Sequence, residues 1–166
     1  MEKHFTLPLL LILSIFSSCQ NEEDTLPPFP STVLGTWEMV GFNDYLKLDY
    51  VTSFQFDADG TYTYSSTLRE KDSDLDLGFN FLETGTFRAG SEKNLIRLAR
   101  TDFLHKPYGA EKQFYAKEEL DKGFVEPNSE YPLRFEIRDN GNTFFIPGGI
   151  VGGDVLVPDK FFERRK

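Results

Sequence analysis

The stretch Phe54-Gln55-Phe56-Asp57-Ala58-Asp59-Gly60-Thr61-Tyr62-Thr63-Tyr64 alternates aromatic and polar residues on both sides of an acidic turn that ends in glycine. Successive side chains of a strand point to opposite faces, so Phe54 and Phe56 share one face of a first strand and Tyr62 and Tyr64 share one face of a second. Asp57-Ala58-Asp59-Gly60 supplies the residues that a tight hairpin turn tolerates. The same period of two recurs outward in short runs separated by Gly, Asn and Asp. It predicts strands over 34–42, 50–56, 61–67, 79–88, 94–101, 133–138 and 143–146, with a last one within 155–164. Asp139-Asn140-Gly141-Asn142 is the clearest turn signal among them.

About eight short strands in hairpin order favour an all-β fold, a closed antiparallel barrel or a sandwich, over any alternation of strands with helices. The expectation is a single up-and-down β-barrel over residues 33–166. One long interruption, 102–131, breaks the pattern. Within it residues 110–122 are good helix formers, with Glu118 and Lys122 at helical spacing and Gly123 as a stop. They predict either a short helix or ordered loop over one barrel mouth, or a mobile surface loop.

Composition removes several function classes. The chain has 166 residues with 27 acidic against 18 basic side chains, a net charge of −9, so it lacks the basic surplus that nucleic-acid binding needs. Cys19 is the only cysteine, and His4 and His105 are the only histidines, which excludes an internal disulfide and multi-histidine or cysteine-rich metal sites. A Ser/His/Asp triad would have to use His105, whose setting Leu104-His105-Lys106-Pro107 reads as a loop. The protein is therefore expected not to be an enzyme.

Residues 1–18 have the layout of a secretory signal, with a short charged start, an apolar run from Phe5 to Phe16 and two small residues. Followed by Cys19, the segment resembles a bacterial lipobox, with Phe16 where such motifs usually carry a smaller aliphatic residue. The resemblance implies a cysteine lipidated on its thiol and a membrane anchor made of several acyl chains. Residues 19–32 read as a tether, first acidic (Gln20-Asn21-Glu22-Glu23-Asp24) and then proline-rich (Pro27-Pro28-Phe29-Pro30). An acidic run directly after the cysteine resembles the export signal of surface lipoproteins in the Bacteroidota. It implies the outer face of the outer membrane, and a generic spacer would leave the protein facing the periplasm.

Leu34-Gly35-Thr36-Trp37, the hairpin 54–62, Gly85-Thr86-Phe87 and the closing strand at 161–165 resemble the lipocalin-like domains of small bacterial lipoproteins, over nearly all of 33–165. That resemblance implies that Gly35 and Trp37 close the bottom of the barrel, with the indole packed near a basic residue of the last strand, Arg164 or Arg165.

Few motifs suggest chemistry. Asp72, Asp74 and Asp76 with Glu83 occupy positions 1, 3, 5 and 12 of a calcium-loop pattern, but Leu77 stands where the sharp turn requires glycine. A looser calcium site on the three aspartates, or a solvated hairpin loop, are the readings that remain. Glu83, Asp102, Glu136 and Asp139 are carboxylates whose spacing singles out no acid/base pair. Gly148-Gly149-Ile150-Val151-Gly152-Gly153 lacks the Lys-Ser/Thr of a phosphate loop and reads as a flexible connection. The 17 Phe and 7 Tyr remain. Phe54, Phe56, Tyr62, Tyr64, Phe79, Phe81, Phe87 and Phe135 are the candidates to line a pocket for a small apolar or amphipathic ligand, or else to fill the core solidly. In the second case the chain would be a surface module for a protein or glycan partner.

Overall fold

The computed structural model describes residues 31–151 and 155–166. The signal segment 1–18, Cys19 and the tether up to residue 30 lie outside the described residues. The body is all-β and antiparallel. Its strands are β1 (Gly35–Asn43), β2 (Leu48–Phe56), β3 (Thr61–Glu70), β4 (Asp76–Ala89), β5 (Leu95–His105), β6 (Asp121–Lys122), β7 (Glu130–Arg134), β8 (Glu136–Arg138), β9 (Thr143–Ile146), β10 (Gly149–Val151), β11 (Val155–Val157) and β12 (Lys160–Arg164).

Ten of these form one sheet in the order β6-β5-β4-β3-β2-β1-β12-β9-β8, with β7 beside β6 on the same edge of β5. The hairpin between β2 and β3 pairs Phe54 with Tyr64 and Phe56 with Tyr62, as the alternation predicts. In its turn, Asp59 accepts hydrogen bonds from the Thr61 amide (2.9 Å) and hydroxyl (2.7 Å).

The sheet is not the closed eight-stranded barrel expected from the sequence. It has more strands, and its two ends are not joined by a ladder. The cause lies at Phe135, in the middle of what reads as one strand over 133–138. The Phe135 amide donates to the Asn94 carbonyl (3.0 Å), its ring is buried, and the chain changes partner there. Before it β7 pairs with β5, and after it β8 pairs with β9.

One face of the sheet curls around a single core of Trp37, Phe54, Phe56, Tyr62, Phe87, Ile96, Leu98, Phe135, Phe144 and Phe162. Phe144 sits at its centre, with ring centroids 5.4 Å from Phe135, 5.5 Å from Trp37 and 5.7 Å from Phe56. Full burial of each such ring contributes about 1.5–3 kcal/mol. These residues come from strands far apart in sequence, so the core holds the curl together.

The interruption at 102–131 contains no α-helix; it makes a single 3-10 turn, Lys117–Glu119. It covers no mouth. Leu82 and Leu104, a cross-strand pair facing away from the main core, pack with Tyr115, Leu120, Phe79 and Ala110 in a second cluster on the outer face of β4 and β5. Tyr115 exchanges two backbone hydrogen bonds with Phe79 (2.8 and 3.0 Å), so the helix propensity of 110–122 loses to pairing with β4. Lys122 lies 3.6 Å from Asp102. The glycine-rich run, read as a flexible connection, supplies β10, which pairs with β11 in a separate two-stranded antiparallel sheet.

Candidate functional site

The end of the sheet where β1 begins is closed by stacked groups. Gly35 has φ +110°, a conformation that side chains rarely adopt. Trp37 is fully buried, its indole N–H donates to the Val33 carbonyl (2.7 Å), and the Arg164 guanidinium lies 4.1 Å from its ring centroid. Arg164 also donates to the carbonyls of Thr32, Leu34 and Gly141. Arg165 turns away and pairs with Glu38 (3.0 Å).

Above this layer the interior is not filled. A cavity of about 240 Å³ is lined by Phe54, Tyr64, Leu98, Leu133 and Ile146, and by the polar side chains of Glu83, Arg100, Tyr131 and Lys160. A β-bulge sets its polar end. Thr84 pairs with Asp102 and Gly85 with Arg100, so Thr101 is an extra residue on β5. The extra residue changes the parity of the strand, and Arg100 and Phe103 emerge on the same face with the guanidinium 4.9 Å from the ring centroid.

Glu83 is 3% exposed. One of its carboxylate oxygens accepts from the Tyr62 hydroxyl (2.6 Å) and from the Tyr131 hydroxyl, and the other meets Arg100 Nη2. The two phenol oxygens are 3.1 Å apart. Burial, then the hydrogen bond to Glu83, pushes the Tyr62 phenol far above its ordinary value, and the same causes push Tyr131 up to about 12. Burial works against the charge of Arg100, but Glu83 outweighs it and holds the guanidinium above the ordinary arginine value. Arg100 Nε is buried and has no hydrogen-bond partner. Chemically this is a neutralised acid-base pair at the end of an apolar hollow.

A second hollow of about 240 Å³ lies beneath residues 123–129 and shares Arg100 and Tyr131 with the first. It exists because β6 and β7 run along the same edge of β5 and the intervening chain leaves that edge. A larger hollow of about 600 Å³ beside the β4–β5 turn is lined by Ala89, Leu95, Phe135 and Ile137 together with Glu92, Lys93 and Glu136, three charged side chains that are all exposed.

Of the aromatic residues singled out in the sequence, Phe54 and Tyr64 line the cavity, stacked at 4.1 Å. Phe56, Tyr62, Phe87 and Phe135 belong to the core, with the Tyr62 hydroxyl reaching Glu83. Phe81 packs 5.0 Å from Tyr64, and Phe79 lies with Tyr115 on the outer face. Arg100, Tyr131, Lys160 and Ile146 were not legible as site residues. Glu83 had a signal, because an acid alternates there with Phe81, Gly85 and Phe87 at inward positions.

The candidate calcium residues do not converge. Asp76 is bound by Arg69 Nε (2.8 Å), while Asp72 and Asp74 are exposed. Among the described residues no group of three His, Cys, Asp or Glu side chains is placed to hold a metal ion. The other acids are also separated: Glu136 pairs with Arg138 (2.6 Å) and Asp139 accepts from Thr143 (2.6 Å). His105 ends β5 instead of lying in a loop, with Nδ1 2.8 Å from the Lys106 carbonyl.

The fold and the cavity define an all-β antiparallel protein with a curled sheet and a partly open interior. Compared with protein-family models, curated proteins and solved structures, the chain has no match.

Proposed function

We propose that this protein is a non-catalytic binding module for a small apolar or amphipathic molecule, held at the cell envelope by a lipid anchor on Cys19. The observation that carries the reading is the cavity above the aromatic core, with apolar walls and one polar end. A cavity of this volume is below the usual range for drug-sized ligands, so a small ligand suits it. The non-catalytic part rests on Glu83, whose oxygens are taken up by Tyr62, Tyr131 and Arg100 and are not free to move a substrate proton. Kinship with lipocalin-like domains is supported by the packing of Gly35, Trp37 and Arg164. The lipobox-like segment and the acidic run behind it support an outer-membrane site facing the cell surface, with the periplasmic face as the alternative.

The second reading is a surface module for a protein or glycan partner. It is favoured by the exposed aromatic residues Phe42, Tyr45, Tyr108 and Phe124. Native mass spectrometry with organic extraction of the full chain, purified from the envelope of its own producing cells, separates the two. A copurifying lipophile near one per chain supports the binding module. A clean mass with nothing extractable overturns it in favour of the surface module.

A further inference from the structure

We infer that the cavity selects an anionic amphiphile, with the acid group of the ligand held by Lys160 and Arg100. The inference rests on the binding-module reading and names its ligand class. Three charged side chains line the cavity. Glu83 and Arg100 form an ion pair and cancel. Lys160 has no ion pair or side-chain hydrogen bond among the described residues, so the cavity is left with one unmatched positive charge.

A second observation points the same way. Arg100 Nε is a buried donor without an acceptor, although the terminal nitrogen of the same guanidinium is spent on Glu83. A buried donor left unpaired is costly, and the guanidinium that carries it lines the cavity. Glu83 does not compete for a cation, because two phenols and a guanidinium already satisfy its carboxylate. The remaining walls, Phe54, Tyr64, Leu98, Leu133 and Ile146, suit a short hydrocarbon body. Lys160 is the first residue of β12 and pairs with Ile146 at the end of β9, which places the charge on the rim of the apolar surface.

Calorimetric titration of the full chain carrying Cys19→Ala, with octanoate, octanol and octyltrimethylammonium as probes, tests this. Octanoate is expected to bind at least tenfold more tightly than octanol, and the ammonium probe least tightly. Lys160→Met is expected to reduce octanoate binding to the level of octanol measured on the same variant. If octanol or the ammonium probe binds as well as octanoate, the anionic class is wrong while the cavity reading stands. If Lys160→Met keeps the full preference, the assignment to Lys160 is overturned. If none of the three binds, both this inference and the binding-module reading fail.

Discussion

Glu83 is the residue on which the interior depends most. A carboxylate at 3% exposure is tolerable only because its charge is paired and its lone pairs are occupied. Glu83→Leu removes the acceptor of two phenols and leaves Arg100 beside an apolar wall. Because Arg100 keeps about a third of its side-chain surface in solvent, the loss is expected at the lower end for a broken buried pair, about 2–3 kcal/mol in urea unfolding. Adding Arg100→Met to that variant is expected to restore part of the stability, and an additive double variant would show that the two groups are not coupled. The two phenols make a separate prediction. Their folded values lie above the ordinary value of 10.0, Tyr131 at about 12, so between those points the folded state keeps protons that the unfolded chain has released. Stability is therefore fully present below pH 10 and declines as pH rises toward 12. Tyr62→Phe with Tyr131→Phe is expected to flatten that decline in unfolding experiments across alkaline pH, and an unchanged slope would remove the phenols as its cause.

At the scale of elements, local pattern and tertiary pairing divide the fold between them. The hairpin 54–64 was legible because alternation and turn chemistry act within a dozen residues. The break at Phe135 was not, since its cause is an acceptor at Asn94 on another hairpin. The bulge at Thr101 was hidden for the same reason: it is a property of two strands in register. Residues 110–122 show the reverse error, a real helix propensity overridden when Tyr115 pairs with Phe79. The cavity was legible only in Phe54, Tyr64 and the inward position of Glu83; Arg100 reaches it through the bulge. Gly85, on the same stretch of β4, tests how closely these strands are packed. A Cβ there would collide with the Ala99 carbonyl oxygen on β5 and stand 2.7 Å from the Tyr62 ring on β3. Because one of those neighbours is backbone, Gly85→Ala is expected to cost about 2–3 kcal/mol by overpacking, measured as a lower urea midpoint. A variant as stable as the parent would mean that β4 and β5 do not approach this closely.

For the whole molecule, the proposed envelope location requires something that would hold a chain with a net charge of −9 at a membrane. Among the described residues no helix is long and apolar enough to cross a bilayer. Nor is electrostatic attraction to anionic headgroups available in the segment that precedes the body, where residues 19–46 contain no Lys or Arg. On the proposed reading the affinity comes from hydrocarbon attached to Cys19, at about 0.8 kcal/mol per buried methylene, and two or more chains suffice for stable anchoring. Cys19→Ala is therefore expected to move the protein from the membrane pellet to the soluble fraction without changing its unfolding midpoint, because the body begins well beyond the substituted residue. Retention in the pellet at an unchanged midpoint would place the anchor elsewhere in the chain or in a partner, and the lipid-anchor reading would fall with it.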